Sequence, residues 1–459
     1  MKSAVVKRRD IANAPVMRID ASFQLSEGVS VRRIISECPY PIVKCGDVME
    51  RIWHAGRWKR VYVNNPKTGI PLVGSSAMLK SDLSDIKLIS KKYTEDMADK
   101  MLHPGWILVS CSGTIGNTVF TNTGHAGKLA SQDVLRLKPK DILGGGYLYA
   151  YLSSKYGYAM LTQGTFGAVI QHIEPANVST IPVPVFPEEM QKEIDQLIRE
   201  AASLRDKAAE LLSECISEIG GKLEPKLTLK RTGKVSIKDI SHSHNNRFEA
   251  NYHISEGAEV DKYIRENFEW KSLSDVCSSI SRPDIFKRYY VKNGIPFLGG
   301  SDIFLSIPDG GKFLSKTKTS NIAALTVESG WILVPRSGTI GNVVLSHDGH
   351  AQKLVSEHVI RLKPNDILRG GYVYAFLSSS LGKALIQRPI FGAVIQHVES
   401  PHLSRIPIPI LQDDLMDSIH ERIMTHKDCL SEACKKELIA ISMIEAEIES
   451  WDKNKSKKL

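Results

Sequence analysis

Two long segments of the chain alternate apolar and polar residues with the period of a coiled coil. After Pro187 the apolar residues step by four and three without a break. They are Met190, Ile194, Leu197, Ala201, Leu204, Ala208, Leu211 and Cys215. Such an a/d seam, held for nearly four heptads, predicts a helix that pairs with another helix. Gly220-Gly221 is the expected end of this helix.

A second, less regular seam closes the sequence. Its apolar positions are Leu415, Ile419, Ile423, Leu430, Leu438, Ile441 and Ile448. Each helix alone would expose an apolar stripe, so we expect the two to pair as an antiparallel coiled coil. The alternative is two amphipathic helices, each packed on its own domain. The residues that we expect to pair are Met190, Ile194, Leu197, Leu204, Leu211, Leu415, Ile419, Ile423, Leu430 and Ile441.

Upstream of each helix, short runs rich in β-branched residues and bounded by Gly or Pro predict strands. They read WILVS, NTVF and DVLRLKP in the first region and WILVP, NVVL and HVIRLKP in the second. YLYAYLSSKYGYAML (147–161) and YVYAFLSSSLGKALI (372–386) each predict one helix. The expected fold class is α+β, with two mixed domains and a long helix after each.

An internal duplication organises these elements. GWILVSCSGTIGN at 105–117 returns as GWILVPRSGTIGN at 330–342, and 48 of the 80 positions from Gly105 to Pro184 are identical at this offset. Residues 45–68 and 77–104 differ from their counterparts, as variable loops on a shared framework do. We therefore predict two mixed domains at 1–186 and 220–411, a long helix at 187–219, and a second long helix with a basic tail at 412–459.

Composition and charge narrow the possible functions. With 42% hydrophobic and 24% charged residues, the chain is neither disordered nor fibrous. The four predicted segments carry net charges of +9, −5, +8 and −3 in chain order, a pattern that suits two polyanion-binding domains joined by acidic helices. Seven cysteines without a CxxC pair, no apolar membrane span and a charged N-terminus favour a cytoplasmic protein.

Catalytic motifs are missing from the sequence. It contains no P-loop, GxSxG or HExxH pattern. His125, His172, His350 and His397 lack metal-ligand spacing, so we interpret them as structural. We therefore expect no catalytic residue, no metal and no cofactor in this chain.

Candidate DNA-binding residues fall in two places. The hexapeptide SGTIGN offers a turn whose backbone could approach a phosphate, or it is a tight hairpin that needs glycine only for its conformation. For base contacts we prefer the basic and aromatic residues of the divergent segments, and Arg336, which replaces Cys111, because arginine and asparagine pair with guanine and adenine. The candidates are Arg51, Trp53, Arg57, Lys59, Arg60, Asn64, Ser112, Thr114, Asn117, Arg282, Lys287, Arg288, Tyr289, Arg336, Ser337, Thr339 and Asn342.

The order of these motifs resembles the specificity (S) subunit of Type I restriction–modification systems. The resemblance rests on the ILVSCSGTIGN and ILVPRSGTIGN cores, the SQDVLRLKP and SEHVIRLKP strands, GGYLYAYLSS and GGYVYAFLSS, and the IPVP and IPIP exits before each long helix. RIDASF (18–23) and RFEANY (247–252) resemble the opening of a recognition domain.

This resemblance implies a non-catalytic subunit of a DNA adenine methylation and restriction complex. Each target recognition domain would dock on one half of a bipartite sequence in double-stranded DNA. The helices would set the spacing and bind two methyltransferase (M) subunits, which would hold S-adenosylmethionine; a restriction (R) subunit could join them. The alternatives are a self-contained modification or restriction enzyme and a repeat-built scaffold for protein contacts without DNA specificity.

Overall fold

The computed structural model describes residues 21–163, 172–223, 232–243, 246–366, 368–392 and 396–456, together with residues 6, 8 and 11. Residues 18–20 of the RIDASF motif and residues 457–459 of the basic tail lie outside this set. By its internal contacts the chain divides into two compact units. The first comprises Met1–Asp206 and Glu432–Leu459, and the second comprises Lys207–Ser431. The domain boundaries given above, which set each long helix apart, stay a prediction.

Within its described residues, the first unit contains ten strands and the helices around them. The helices are α1 (Ala21–Gln24), α2 (Glu27–Ser36), α3 (Met97–Lys100), α4 (Gly145–Ser153), α5 (Lys155–Gln163), α6 (Pro175–Ser179) and the first part of α7 (Glu188–Leu223). The strands are β1 (Ile42–Lys44), β2 (Met49–Trp53), β3 (Tyr62–Val63), β4 (Gly69–Val73), β5 (Leu88–Ser90), β6 (Ile107–Ser110), β7 (Thr118–Phe120), β8 (Leu129–Ala130), β9 (Val134–Pro139) and β10 (Pro182–Pro184). Single 3-10 turns occupy Cys45–Val48, Ala77–Leu79 and Thr123–His125.

The second unit repeats this order. Its helices are α8 (Ile237–His242), α9 (Ala250–Ile254), α10 (Glu256–Asn267), α11 (Ile322–Leu325), α12 (Gly370–Ser378), α13 (Ser380–Gln387), α14 (Ser400–Leu403) and the first part of α15 (Asp413–Ser456). Its strands are β11 (Trp270–Ser272), β12 (Cys277–Ser281), β13 (Tyr290–Val291), β14 (Ile295–Leu298), β15 (Lys312–Leu314), β16 (Ile332–Pro335), β17 (Val344–Leu345), β18 (Leu354–Val355), β19 (Val359–Pro364) and β20 (Pro407–Pro409). A 3-10 turn occupies Asp302–Phe304.

The two units have the same sheet topology. The first has a four-stranded sheet of order β2-β9-β6-β7, a second of order β3-β5-β4-β8, and the pair β1-β10. Adding ten to each strand number gives the three sheets of the second unit. All pairings are antiparallel except β4 with β8 and β14 with β18. The predicted duplication and α+β class are therefore confirmed.

The core of each unit is built on strands and helices that carry apolar residues on all of their faces. Every residue of β6 and of β16 is buried, as short continuous apolar runs predict. α4 buries all residues from Gly145 to Leu152, because the helix has no polar face.

The expected single helix after these strands is wrong in both units, because the chain breaks at Ser154 and Ser379. Ser154 has extended backbone angles, and its Oγ accepts a hydrogen bond from the Gly157 N–H at 3.2 Å. α5 then packs so tightly that a Cβ on Gly157 would lie 2.2 Å from the Tyr151 carbonyl oxygen. Ser379 accepts from Gly382 in the same way. A serine cap and a close-approach glycine thus replace one helix with two.

The two long helices pack against each other within each unit. In the first, Ile194 and Ile198 of α7 share a core with Ala440, Ile444 and Ile448 of α15. In the second, the α7 residues Cys215, Ile219 and Leu223 share a core with Met416, Ile419 and Ile423 of α15.

The direction of the pair follows from contacts inside the second unit. His426 Nδ1 lies 2.7 Å from the Ala208 carbonyl oxygen, and Arg422 forms an ion pair with Glu218. The residue of α15 that is contacted has a lower number, 422 instead of 426, where the residue of α7 has a higher one, 218 instead of 208. The two helices are therefore antiparallel, as expected.

On α7, every second position of the buried seam lies one residue after the predicted position: Gln191 and Ile198 are buried where Met190 and Leu197 were expected. Ile194, Ala201, Ala208 and Cys215 are buried as expected. Two other predicted seam residues, Ile419 and Ile423, are fully buried. The rest of the predicted pairing residues are only half-buried: Met190, Leu197, Leu204, Leu211, Leu415, Leu430 and Ile441. Leu438 is 48% exposed. Both helices also pack on the shorter helices and strands of the two cores, so the apolar stripe of each is wider than a two-helix seam.

The expected end of α7 at Gly220-Gly221 is wrong, because the helix continues to Leu223. Ile219 and Leu223 lie four residues apart on one face and are both buried in the second core. Their packing outweighs the low helix propensity of the two glycines.

One polar cluster lies inside the helix pair of the first unit. The side chains of Arg205 and Glu437 form an ion pair and are only 15% and 5% exposed. Tyr149 of α4 donates its hydroxyl to the other oxygen of Glu437. Burial, together with the Glu437 charge, raises the pKa of Tyr149 well above its usual value. Glu437 therefore holds two polar partners, one from each of the two elements packed against it.

We predict that Glu437→Leu lowers the free energy of unfolding by about 3–5 kcal/mol, because it leaves Arg205 buried without a counter-charge. The double variant Arg205→Met/Glu437→Leu should recover most of this loss. Urea unfolding followed by circular dichroism measures both. The exposed pair Glu188–Lys192 supplies the control, since Glu188→Gln should leave the midpoint unchanged. A double variant as unstable as the single one would contradict the prediction.

Candidate functional site

Strand pairing aligns the variable segments of the two units residue by residue. In the first unit Trp53 of β2 faces Arg136 of β9, and in the second Ser281 of β12 faces Arg361 of β19. Equivalent residues of the two units are 228 positions apart in the sequence as far as β3 and β13, and 225 positions apart from β4 and β14 onward. The turn between β3 and β4 is therefore three residues longer than the turn between β13 and β14. His54 is therefore equivalent to Arg282, and Arg60 to Arg288.

A carboxylate joins two arginines in the second unit. Glu399 Oε1 accepts from Arg336 Nε at 2.7 Å, and Glu399 Oε2 lies 3.3 Å from Arg282 Nε. The side chains of Arg336, Arg282 and Glu399 are 18%, 24% and 26% exposed, so solvent reaches all three. We call these residues the copy-two cluster.

Two of the three equivalent positions in the first unit carry different groups, and the third is again a glutamate. Glu174 Oε2 lies 3.3 Å from His54 Nε2, and Cys111 is buried with its Sγ 3.5 Å from the Gln132 carbonyl oxygen. We call His54, Cys111 and Glu174 the copy-one cluster. With histidine neutral, the copy-one cluster has a charge of −1 and the copy-two cluster a charge of +1.

The backbone brings these positions together in the same way in both units. The N–H of Ile173 donates to the carbonyl oxygen of Cys111 at 3.1 Å, and the N–H of Val398 donates to that of Arg336 at 3.0 Å. The next residue, Glu174 or Glu399, is the N-cap of α6 or α14. A bridge and a helix start thus fix each carboxylate beside the end of β6 or β16.

A second ion pair also recurs. Arg60 contacts Asp133 at 3.1 Å, and Arg288 contacts Glu357 at 2.8 Å. Burial is the largest single influence on the pKa of Glu357 and would raise it, but the hydrogen bonds from Arg288 and from the backbone, together with the charges of Arg288 and His358, hold that pKa below its usual value. Both arginines are therefore held by carboxylates of the chain itself.

Sequence reasoning missed the residues that support these carboxylates, Arg136 and Arg361. Arg136 donates to the Val134 carbonyl oxygen at 3.0 Å and to that of Ala130, and Arg361 donates to the Ser356 carbonyl oxygen at 3.1 Å. Both are fully buried, and burial lowers the pKa of each to about 10. They fix the loops that carry Asp133 and Glu357. The signal was one arginine flanked by apolar residues in each strand, DVLRLKP and HVIRLKP.

The SGTIGN turns connect β6 to β7 and β16 to β17. Gly113, Gly116, Gly338 and Gly341 all have positive φ, as the tight-hairpin reading requires. Gly116 has a second reason to be glycine, since a Cβ there would lie 2.7 Å from Thr162. Thr114 and Thr339 are exposed, and Ser112, Asn117, Ser337 and Asn342 are half-buried. The hairpin geometry is compatible with a phosphate contact and does not require one.

The remaining candidates divide into exposed and engaged side chains. Arg57, Lys59, Asn64 and Lys287 are exposed, and Tyr289 is half-buried under Lys287. Arg51 contacts Asp99 at 2.8 Å and lies over the Trp53 ring. Trp53 itself is buried, and its indole N–H donates to the Asp99 carbonyl oxygen at 3.1 Å.

The described residues form neither a metal-type cluster nor a membrane-spanning helix. No group of three or more His, Cys, Asp or Glu in this part of the chain could hold a metal ion. Within the same residues, no helix is long and apolar enough to cross a membrane.

Comparison with known proteins gives one family. The Type I restriction modification DNA specificity domain matches residues 39–201 and 265–425. Among solved structures, the S subunit of a Type I restriction-modification system from M. genitalium is 12% identical, with a TM-score of 0.29 over 90% of this chain and 96% of that chain. The HsdS subunit from Thermoanaerobacter tengcongensis is 14% identical, with a TM-score of 0.28 over 90% and 96%. No curated protein matches the chain.

The Arg288–Glu357 pair predicts a dependence of stability on pH. The folded pKa of Glu357 lies below its unfolded value, so its contribution is complete above the unfolded pKa, about 4.3, and is lost as the pH falls through the folded pKa. Glu357→Gln should cost about 1–3 kcal/mol at pH 7, because a charge-assisted hydrogen bond is lost. The gap in urea midpoint between variant and wild type should narrow below pH 4. Asp284→Asn, at an exposed site, is the control; a gap that widens with acid would contradict the assignment.

Proposed function

This chain belongs to the family of Type I restriction modification DNA specificity domains, and from that premise we propose that it selects the DNA sequence for such a system. Each repeat would read one half of a bipartite target. The observation that carries the proposal is the pair of clusters: one scaffold, present twice, holds a glutamate at the same place in both copies and different hydrogen-bonding groups at the two positions beside it. Two readers of unlike half-sites require this combination of constant framework and changed contacts.

Charge supports DNA as the ligand of both repeats. Residues 1–186 carry a net charge of +9, and residues 220–411 carry +8. Exposed cations of the variable segments, such as Arg57, Lys59 and Lys287, would contact phosphates and set the register on the duplex. The partly exposed arginines of the copy-two cluster would then face base edges.

The long helices would serve spacing and assembly. Their segments 187–219 and 412–459 have net charges of −5 and −3, which suit protein contacts better than DNA contacts. We expect α7 and α15 to bind two methyltransferase (M) subunits and to fix the number of base pairs between the half-sites. A restriction (R) subunit could join the same complex.

Catalysis would then belong to the partner subunits. The methyltransferases would bind S-adenosylmethionine and methylate adenine, and this chain would supply no catalytic residue and no cofactor site. Since the substrate would be the DNA of the cell, we expect the complex to act in the cytoplasm.

We predict that the full chain binds duplex DNA with an affinity that falls about a thousandfold between about 50 and 200 mM salt, as expected if six or more phosphates are held. With S-adenosylmethionine it should transfer no methyl group until a methyltransferase subunit is added. Fluorescence anisotropy and tritium incorporation measure the two results. An affinity for DNA that does not change with salt concentration, or no DNA binding at all, would favour a protein scaffold. Methyl transfer by the chain alone would mean that it is a self-contained enzyme.

A further inference from the structure

The copy-two cluster holds two guanidinium groups in one place. Arg282 follows β12, Arg336 follows β16, and Glu399 begins α14, so three distant parts of the sequence converge there. Two arginine side chains repel each other and each has several rotatable bonds. A shared carboxylate removes the repulsion and restricts the rotamers of both arginines.

The backbone under the cluster is fixed as well. The Arg336 N–H donates to the His358 carbonyl oxygen at 2.8 Å, and its carbonyl oxygen accepts from Val398 at 3.0 Å. The Glu399 N–H donates to His402 Nδ1 at 3.3 Å, within the first turn of α14. Both ends of the Arg336–Glu399 ion pair therefore start from anchored main chain.

The ion pairs leave a defined edge of each arginine for a ligand. Glu399 engages Arg282 and Arg336 through their Nε atoms, and it also contacts one terminal nitrogen of Arg336. A guanidinium can pair with O6 and N7 of guanine in the major groove through its two terminal nitrogens. The cluster is thus pre-organised to donate toward a guanine edge, and ordering the arginines before binding lowers the cost of recognition.

The first unit lacks this donor set. At the equivalent positions, His54 and Glu174 form a weaker pair and Cys111 is buried. The two repeats therefore differ by two guanidinium groups at one place in a common scaffold.

We propose that Glu399 is a positioning residue that orients Arg336 and Arg282 to read guanine in one half-site, and that the copy-one cluster does not read guanine in this way. The inference rests on the proposed function and assigns one base preference to one repeat. Glu399 acts through the arginines and does not itself contact the DNA.

The test uses the full chain and a duplex DNA library in which both half-sites are randomised, with bound sequences read after selection. Wild type should select a sequence with a guanine that depends on this cluster. Glu399→Gln should reduce the preference for that guanine about tenfold, with the other half-site unchanged. Arg336→Lys should reduce it as well, while the salt dependence of binding stays the same, because lysine keeps the charge and loses the two-pronged geometry. Glu174→Gln is the matched control and should leave this guanine preference intact.

A double variant makes the second repeat resemble the first. Arg282→His/Arg336→Cys should abolish the guanine preference in that half-site alone. If wild type selects no sequence, the proposed function fails. If wild type selects a bipartite sequence but the guanine preference survives Glu399→Gln and Arg336→Lys, or if both variants weaken all sequences equally, only this inference fails. Thermal unfolding midpoints equal to wild type confirm that the variants are folded.

Discussion

The fold depends on burying the apolar stripes of two long helices against each other and against the units that precede them. Neither α7 nor α15 can do this alone, because each presents apolar residues on more than one side. Ile194 and Ile198 meet Ala440 and Ile444 in one core, and Cys215 and Ile219 meet Ile419 and Ile423 in the other. Both helices therefore belong to both cores, and the antiparallel direction follows from this requirement.

The need to keep each core packed and hydrogen-bonded also explains which residues the two repeats share and where they differ. Within each unit, buried arginines, serine caps and fully apolar strands recur with little change, because any substitution there would leave an unpaired polar group or a cavity. At the edge of this framework, positions 54 and 111 differ from 282 and 336 in charge and in hydrogen-bonding capacity, while positions 174 and 399 both carry glutamate. A change there alters what the surface offers to a ligand and leaves the core intact.

The sequence was sufficient for the duplication, the principal strands and the pairing of the helices, because these depend on periodicity and on repeated apolar runs. It was insufficient where one polar side chain decides the geometry. Ser154 breaks a pattern that looks like one continuous helix, and Arg205 and Glu437 lie in a seam where only apolar residues were expected. The engagement of Arg336 and Arg282 by Glu399 depends on residues 63 and more positions apart, which no local pattern connects.

On the function proposed above, this chain alone dictates which DNA sequence a methylation complex acts on. Mapping methylated adenines across the host genome, with the gene intact and with the gene deleted, tests it most directly. We expect one bipartite motif, two defined halves separated by a fixed number of unspecified base pairs, whose methylation disappears on deletion and returns when the gene is restored. An unchanged methylation map after deletion would contradict it.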